Sequence, residues 1–262
     1  MMGRPRHLGR DYAAQFLDCD VVQAYAARPP YPERVIDSLR ALLPGPGARV
    51  LELGCGTGDL TFELAPHVRE LVAIDPSPAM LATATRRHAR VPPNVRFVLA
   101  SAEDFEPPGE FALVVAAESL HWMEWGRVLP KLRDRLGQGG LLAIVDARRF
   151  VDLPWSADLE LLIANFSTNR DYQRYDLVDE LTRRTLFAEQ GRQLVRGPVF
   201  RQSVDAYLES FHSRNGFARA RMGAAAESFD QALRELISRH RSDGFVEGAI
   251  EVTVVWGFIE AR

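Results

Sequence analysis

RVLELGCGTGDLT occupies residues 49–61 and contains a strand pattern, a run of spaced glycines and the start of a helix pattern. Residues 50–53 have the apolar pattern of a buried strand, and Gly54, Gly56 and Gly58 follow at once, spaced two apart. The residues after the last glycine then read as the first turns of a helix. Glycines suit such a loop because a side chain would keep a ligand from the backbone, and because tight turns use positive φ angles. The stretch predicts a strand, a glycine loop and a helix that together bind a nucleotide-like ligand.

The spacing of the glycines narrows the class of nucleotide. A dinucleotide fingerprint would need its third glycine at position 59, where the pyrophosphate meets the helix N-terminus, but the residue there is Asp59. An acid at this point would repel phosphate, which counts against NAD and FAD. No lysine follows the loop, so it is not a phosphate-binding loop of the GxxxxGKS/T type. A ligand with an adenosine end and no phosphate remains.

The form Glu52-Leu53-Gly54-Cys55-Gly56-Thr57-Gly58 resembles motif I, ExGxGxG, of the class I S-adenosylmethionine (SAM) dependent methyltransferases. Further landmarks follow in the order that this family has. An apolar run ends in Asp75 about twenty residues after the loop, where a carboxylate can accept the ribose hydroxyls. Residues 76–81 are similar to the family's D-x-S-x-x-M-L stretch, with Ser77 as the helix N-cap. The turn at residues 101–104 corresponds to the one that borders the adenine.

The resemblance implies SAM as cofactor and S-adenosylhomocysteine (SAH) as its product, and it assigns cofactor residues by their position in the motifs. It implies that Glu52 acts indirectly, by hydrogen bonding to the loop or to the amino acid end of SAM. No metal is expected, because no Cys/His cluster has metal-ligand spacing. The cofactor residues expected are Tyr25, Arg28, Glu52, Gly54, Gly56, Asp75, Pro76, Met80, Ala102, Glu103 and Glu118.

The pattern of apolar runs predicts an α/β fold with a doubly wound, mostly parallel seven-stranded sheet, which is Rossmann-like as in class I methyltransferases, and with a helical cap insertion. The predicted strands are 50–53, 71–75, 95–100, 111–116, 141–145, 193–200 and 247–259, the last as an antiparallel edge. Helical patterns at 157–166 and 177–187 form the cap, and Ser203 and Ser228 are expected to cap two later helices. Four parts are expected: an N-terminal helical lid segment (1–43), a SAM-binding core (44–150), the helical cap inserted after strand five (151–190) and a C-terminal part of the core with additional cap helices (191–262).

Residues 25–32, YAARPPYP, are similar to the Y-x-x-x-R-P-x-Y-P segment of small-molecule methyltransferases related to trans-aconitate methyltransferase. In that group the segment folds over bound SAM. The resemblance implies that Tyr25 and Arg28 meet the methionine carboxylate of SAM, for which a guanidinium fork is suited. In the other interpretation, Arg28 is a surface residue beside a rigid turn and Tyr25 packs the helix. The sequence leaves both interpretations open.

Residues 118–123 follow the fourth predicted strand, at the carboxyl edge of the sheet where ligands of such folds bind. His121 is the candidate catalytic residue, as a general base, since a histidine exchanges protons readily near neutral pH. Trp122 is a candidate for the pocket wall or for contact between its ring face and the sulfonium. The competing interpretation is that His121 only lines the pocket, because many methyltransferases need no more than in-line positioning of the acceptor.

The predicted cap region is rich in arginine, with Arg170, Arg174, Arg183, Arg184, Arg214, Arg219 and Arg221. Two or three of them converging in the pocket would select an anionic acceptor. The ordinary interpretation is that they lie on solvated helix faces and pair with nearby acids, such as Asp171, Asp176, Asp179 and Glu180. An aromatic wall for a hydrophobic acceptor is equally open, built from Phe166, Tyr172 and Tyr175.

The net charge of −3 gives no overall attraction to nucleic acid or to an anionic membrane. No apolar run approaches the length of a membrane span, and neither the basic N-terminus nor the two cysteines indicate secretion, so a cytoplasmic location is expected. The sequence favours a methyltransferase that acts on a small-molecule acceptor by in-line SN2 transfer, with its oligomeric state not readable. Three alternatives are a nucleic-acid methyltransferase, a SAM-binding protein without catalysis and a nicotinamide oxidoreductase.

Overall fold

A computed structural model describes residue 9 and residues 14–87, 90–172 and 176–260. Its strands are β1 Arg49–Leu53, β2 Glu70–Asp75, β3 Val95–Leu99, β4 Phe111–Ala117, β5 Leu136–Val151, β6 Phe187–Ser203 and β7 Phe245–Ile259. They form one sheet in the order β3-β2-β1-β4-β5-β7-β6. β7 runs antiparallel to β5 and β6, and the other neighbouring strands are parallel. The predicted doubly wound, mostly parallel seven-stranded sheet is confirmed.

Helices connect the strands and cover the sheet. The α-helices are α1 Cys19–Tyr25, α2 Glu33–Ala41, α3 Asp59–Leu64, α4 Pro78–Arg87, α5 Trp125–Arg133, α6 Ser156–Phe166, α7 Leu177–Arg183, α8 Val204–His212, α9 Arg219–Met222 and α10 Ala225–Ser238. Short 3-10 turns lie at Ala14–Leu17, Ala65–His67 and Leu120–Trp122.

Both faces of the sheet are buried, which explains why its strands read as continuous apolar runs rather than as alternating ones. Val50 and Leu51 are neighbours in β1 with no exposed surface, yet they belong to separate hydrophobic clusters. Helices α2, α3, α8 and α10 pack one cluster, and α5 and α7 pack the other. The strand order reverses between β1 and β4, so a crevice opens at the carboxyl ends of these two strands.

β5 is longer than predicted. The sequence indicated a strand only at residues 141–145, whereas β5 begins at Leu136 and continues to Val151. The extension at its C-terminal end has a structural cause, because β7 supplies antiparallel partners as far as the pair Val151 and Ala249. Local sequence carries no signal for such a distant partner.

β6 differs from the prediction at both ends. Residues 177–187 were predicted as helix, but α7 ends at Arg183, and Thr185 has a positive φ of 54° that turns the chain into β6 at Phe187. The strand was predicted over residues 193–200. At the Gly197-Pro198 pair the register shifts between Arg196 and Val199, and the strand continues to residue 203. A proline is tolerated there because β6 is the edge strand; the prediction that the last strand forms this edge was wrong.

The predicted helix caps are confirmed in two cases and wrong in one. The Ser77 Oγ accepts a hydrogen bond from the Met80 N–H at 3.3 Å, and the Ser203 Oγ accepts one from the Ala206 N–H at 3.2 Å. Ser228 instead lies inside α10, which begins at Ala225. The earlier start of α10 brings the buried Ala226 into the helix, on the apolar side that packs the core.

Helices α6 and α7 lie between β5 and β6, where the cap insertion was predicted. Leu162 and Ile163 of α6 pack against the cluster that contains Leu233 of α10, and the rings of Phe166 and Phe229 are 5.7 Å apart. α6 therefore packs beside the C-terminal helices rather than standing alone. Arg174 and Tyr175, named above for the acceptor, lie outside the described residues.

Candidate functional site

A cavity of about 560 Å³ opens at the carboxyl ends of the parallel strands. The glycine loop (residues 54–58) and the N-terminal segment (residues 14–32) form parts of its wall, together with the residues that follow β2, β3 and β4. The structure brings together here every residue that the sequence predicted for the cofactor: Tyr25, Arg28, Glu52, Gly54, Gly56, Asp75, Pro76, Met80, Ala102, Glu103 and Glu118.

The glycine loop takes a backbone path that other residues would resist. Gly54, Gly56 and Gly58 have φ angles of 66°, 54° and 82°, all in the left-handed region. A Cβ on Gly54 would also lie 2.7 Å from the Cβ of Ser119, whose hydroxyl donates to the Leu53 carbonyl at 2.6 Å. The loop after β4 therefore packs directly on the glycine loop, and both conditions require glycine at position 54.

Asp75 at the end of β2 ties that strand to the glycine loop. Its Oδ2 accepts a hydrogen bond from the Gly56 N–H, and its Oδ1 accepts one from the Ser77 N–H, both at 2.8 Å. Burial raises the pKa of Asp75, and these two hydrogen bonds offset part of that effect. Each carboxylate oxygen keeps a further lone pair, so Asp75 can still accept hydrogen bonds from a ligand in the cavity.

Glu52 is buried at the floor of the cavity, with 3% of its surface exposed. The Thr61 hydroxyl in α3 donates to its Oε2 at 2.6 Å. Burial raises the pKa of Glu52 to about 8, although the Thr61 hydrogen bond lowers it somewhat. Glu52 is therefore protonated at neutral pH. The predicted partners of Glu52 were the glycine loop and the amino acid end of SAM, whereas the hydrogen bond observed is to Thr61 in α3, which begins directly after the loop.

The far end of the cavity combines apolar side chains with the turn after β3. Met80 and Met123 are nearly buried and line the wall beside Ala102. The Glu103 carboxylate accepts a hydrogen bond from the Glu124 N–H at 2.7 Å, and the Glu103 carbonyl accepts one from Lys131 at 2.8 Å. These bonds hold the turn against the start of α5. The result is an apolar slot with polar edges, as flat heteroaromatic rings require.

Arg28 joins the N-terminal segment to the rest of the site. Its guanidinium contacts a Glu118 carboxylate oxygen at 3.1 Å and donates to the hydroxyl and carbonyl oxygens of Ser213, each at 2.8 Å. It also lies 4.1 Å from the centre of the Tyr25 ring. The interpretation of Arg28 as a surface residue is therefore wrong, because its side chain is 12% exposed and fully engaged.

Arg148 and Asp59 complete a charged network that the sequence did not indicate. Arg148 contacts Asp59 and Glu118, each at 3.2 Å, and Asp59 also pairs with Arg87 at 2.6 Å. Burial alone would raise the pKa of Asp59 and of Glu118, but the arginines outweigh it and hold both pKa values below their ordinary range. In the sequence, Asp59 indicated only repulsion of phosphate, and no motif pointed to Arg148.

The cavity fits an adenosyl ligand without phosphate. Two carboxylates, Asp59 and Asp75, border the glycine loop, so a phosphate group there would meet negative charge, most directly at Asp75 because Asp59 is paired with two arginines. Asp75 offers acceptor oxygens for hydroxyl groups, and the methionine-lined slot suits a heteroaromatic ring. The residues present therefore fit SAM.

Comparisons with known proteins agree with a site for SAM. Residues 50–140 match the family described as methyltransferase domain. The chain is 32% identical over 133 residues to a yeast protein, CRG1 of Saccharomyces cerevisiae, named a probable SAM-dependent methyltransferase; the match covers 48% of this chain and 46% of CRG1. The chain carries a class I SAM-dependent methyltransferase domain. SAM is the cofactor of this domain.

Another curated relative of the methyltransferase domain is the trans-aconitate 2-methyltransferase of Deinococcus radiodurans. Identity is 37% over 110 residues, which cover 40% of this chain and 41% of that enzyme. The chain thus spans about half the length, or less, of the curated relatives it matches.

Solved structures agree on the fold of this chain. A chain from Anaeromyxobacter dehalogenans, assigned to the type II methyltransferases, has a TM-score of 0.64 at 24% identity, and the match covers 90% of this chain and 99% of that one. The [4+2]-cyclase SpnF has a TM-score of 0.53 at 20% identity, with 87% of this chain and 81% of that one covered. A protein named for a different reaction has the same fold, so the fold alone does not define the reaction.

His121 lies beside the cavity rather than in its lining. It belongs to the 3-10 turn after β4, and its ring centre is 4.8 Å from that of Trp122, which does line the cavity. His121 is nevertheless close enough to Glu118 to help lower the pKa of that carboxyl group. A proton-transfer role for His121 stays a prediction.

Aromatic residues from the N-terminal segment build a wall that the sequence did not predict as such. The Phe16 ring is 5.2 Å from the Trp122 ring and 6.3 Å from the Tyr25 ring, and all three line the cavity. Tyr31 also lines it, beneath the Arg148 guanidinium. The Y-P motif was a signal for Tyr31, whereas Phe16 had none, because it precedes the recognised segment.

None of the predicted cap arginines among the described residues lines the cavity, although Arg214 is close enough to Glu118 to help lower the pKa of that carboxyl group. Arg183 and Arg184 pair with Glu180, and Arg219 pairs with Glu209 and Asp230. Tyr172 is exposed, and Phe166 packs on Phe229. The ordinary interpretation holds for these three arginines, and neither Phe166 nor Tyr172 lines the cavity.

Among the described residues, no group of His, Cys, Asp and Glu side chains has the arrangement of a metal site. Within the same residues, no helix combines the length and apolar character needed to cross a membrane.

Proposed function

We propose that this protein is an active SAM-dependent methyltransferase that transfers a methyl group to a small-molecule acceptor by in-line SN2 displacement. The observation that carries the proposal is the position of Asp75, whose carboxylate is hydrogen-bonded to the glycine loop inside a cavity that also contains Glu118 and Trp122. One cavity thus offers a ribose acceptor at one end and an aromatic wall at the other.

The proposed roles of the cofactor residues follow their places in this cavity. Asp75 accepts hydrogen bonds from the ribose hydroxyls, and Ala102 and Glu103 border the adenine edge. Gly54, Gly56, Pro76 and Met80 shape the wall around the adenosyl group, and Glu52 supports the loop through Thr61. Tyr25, Arg28 and Glu118 adjoin the methionine end.

When bound, SAM supplies an electrophilic methyl group on a sulfonium. The chain's own contribution is alignment and exclusion of water, since the sulfonium loses its charge as the methyl leaves and gains little from additional electrostatic stabilisation. The contacts among Phe16, Tyr25 and Trp122 support the exclusion of water, because they cover the cavity with ring surfaces. We propose His121, next to Trp122, as the base that removes a proton from the acceptor.

The net charge of the protein and the contribution of the N-terminal segment to the cavity wall both favour a small acceptor over nucleic acid. The net charge of −3 gives no general attraction to a polyanion, and the N-terminal segment contributes Phe16, Tyr25 and Arg28 to the cavity wall. None of the described residues in 151–190 lines the cavity, so we assign the covering role to the N-terminal segment rather than to α6 and α7.

Binding of SAH tests the cofactor site directly. Replacing Asp75 by asparagine keeps its shape but removes the charge that attracts two hydroxyl donors, so we expect SAH affinity to fall about tenfold or more in calorimetry. Asp134→Asn is the matched control, because Asp134 is 66% exposed and pairs only with its neighbour Arg133 among the interactions described. Equal affinity of wild-type and Asp75→Asn proteins would remove Asp75 from the site.

Transfer of a labelled methyl group from SAM tests the acceptor class and the role of His121. We expect label in a small-molecule extract and none in RNA, DNA or protein, with His121→Ala slower than wild type by about a hundredfold at unchanged SAH affinity. Label in nucleic acid would favour the alternative acceptor. SAH binding without transfer to any fraction would favour a non-catalytic SAM-binding protein, and unchanged turnover in His121→Ala would exclude it as the base.

A further inference from the structure

β5 contains a bulge that redirects one side chain toward the cavity. Between the pairs Asp146 with Thr253 and Arg149 with Glu251, two residues of β5 lie opposite one residue of β7. The first of the two, Ala147, has a positive φ of 62°, which costs a non-glycine residue free energy. The second is Arg148. Bulges of this kind often re-aim a side chain beside a functional site.

The packing of β5 shows what the bulge achieves. Val145 and Phe150 are an odd number of residues apart, so a regular strand would place them on opposite faces of the sheet. Both nevertheless pack into the same hydrophobic cluster. The bulge therefore reverses the alternation of β5 and frees Arg148 from the regular pattern, at a point where it lines the cavity.

Arg148 contacts three separate parts of the chain from this position. Its side chain is 3% exposed, and its guanidinium donates to the Pro29 carbonyl at 3.2 Å and lies 4.1 Å from the centre of the Tyr31 ring. It also bridges Asp59 at the start of α3 and Glu118 after β4. The N-terminal segment, the helix of the glycine loop and the end of β4 are thus joined through one side chain.

Glu118 carries a second strained backbone at the same place. Its φ is 49°, and its N–H donates to the Val145 carbonyl of β5 at 2.8 Å. Its carboxylate is shared between Arg28 of the N-terminal segment and Arg148 of β5. A strained residue thus follows β4 at Glu118, another lies within β5 at Ala147, and the side chains of Glu118 and of Arg148, the residue after Ala147, meet. Strain that persists at such a point is maintained by the surrounding contacts and is commonly tied to function.

We propose that Arg148 is a positioning residue, which holds the N-terminal segment against the glycine loop and thereby sets the affinity for SAM. The effect on SAM affinity rests on the proposed function, whereas the role of Arg148 in holding the segment rests on its contacts. Arg148 acts through Asp59, Glu118 and the backbone and ring of the segment 29–31. Lysine cannot replace it, because one ammonium group lacks the planar fork that reaches several acceptors while stacking on a ring.

Two variants and two matched controls test the proposal. Arg148→Lys keeps the charge, and Arg148→Met removes it; Arg149→Lys and Arg149→Met make the same changes one residue along, at a surface pair with Glu251 whose arginine is 55% exposed. The measurements are calorimetric SAH affinity, backbone hydrogen exchange of residues 19–32 without ligand, and the KM for SAM against kcat once an acceptor is known. Ligand-free thermal unfolding shows whether each variant is folded.

We expect Arg148→Lys to weaken SAH binding about tenfold, to raise the KM for SAM more than it lowers kcat, and to speed hydrogen exchange in residues 19–32. The Arg149 variants should match wild type in all three. If Arg148→Met does not fold, Arg148→Lys alone decides. An Arg148→Lys protein with wild-type exchange and SAH affinity would overturn the proposal and leave Arg148 a structural residue.

The same measurements distinguish a failure of the proposed function from a failure of the proposal for Arg148. A wild-type protein that does not bind SAH would contradict the proposed function, whereas hydrogen exchange of residues 19–32 needs no ligand and still tests whether Arg148 closes the segment. Faster exchange in Arg148→Lys would then support its closing role, and unchanged exchange would overturn it.

Discussion

Glu52 and Glu118 both lie at the wall of the same cavity and are largely removed from water, but their partners differ. Glu52 at the floor accepts a hydrogen bond from the Thr61 hydroxyl, and no arginine or lysine among the described residues forms an ion pair with it. Glu118 at the N-terminal side contacts both Arg28 and Arg148. The pKa of Glu52 is raised to about 8, while that of Glu118 lies below its ordinary value.

The charge of a buried carboxyl group in this cavity depends on its partners. Burial alone favours the neutral form, and Glu52 follows this rule because a hydroxyl group compensates only in part. Two guanidinium groups reverse the outcome for Glu118. The cavity therefore combines a neutral floor next to the glycine loop with a charged network at the N-terminal segment, and the two regions should respond differently to pH and to removal of charge.

The largest expected effect is the loss of pH dependence in Glu52→Gln. The folded-state pKa of about 8 exceeds the ordinary value of 4.5, so the folded state binds more protons between these values. Stability should consequently fall as pH rises through this window, by up to about 1.4 kcal/mol per pH unit from this one group. Glu52→Gln should remove that contribution. Urea unfolding at several pH values between 5 and 8 compares the slopes, and parallel curves for the two proteins would contradict a neutral Glu52.

A smaller effect is expected at constant pH from Glu118→Gln, which removes the charge between two arginines. We expect a loss of about 2 kcal/mol in the free energy of unfolding at pH 7, because both guanidinium groups lose a partner in a poorly solvated site. Glu52→Gln at the same pH should cost less than about 1 kcal/mol, since it replaces a group that is already neutral.

Glu251→Gln is the control for that measurement, because its partner Arg149 is exposed, and a change of less than about 1 kcal/mol is expected. Equal losses in the free energy of unfolding for Glu52→Gln and Glu118→Gln at pH 7 would contradict the difference between a neutral Glu52 and a charged Glu118.

The first half of the sheet could be predicted closely from the sequence. β1 and β2 each begin one residue before the predicted strands, at Arg49 and Glu70, because strands that are buried on both faces give an unbroken apolar signal. β5 and β6 could not be predicted as well. Their lengths depend on pairing with β7, more than a hundred residues after β5 begins, and neither the bulge at Ala147 nor the turn at Thr185 leaves a mark in local hydropathy.

Some residues of the candidate site could likewise be predicted from the sequence, and others could not. Gly54, Gly56 and Asp75 were readable because a ligand-binding loop imposes local demands, a positive φ or a carboxylate at the end of a strand, that few residue types meet. Arg148 was not readable, because any solvated arginine would look the same in sequence.

The glycine loop, the strands beside it and the absence of a phosphate-binding pattern could be read from the sequence alone, since each depends on backbone conformation or residue type over a few neighbouring positions. Only the tertiary structure decided which charges meet. Arg28, Asp59, Glu118 and Arg148 come from four distant segments, and their pairing arises because burial makes an unpaired charge costly once the chain has folded.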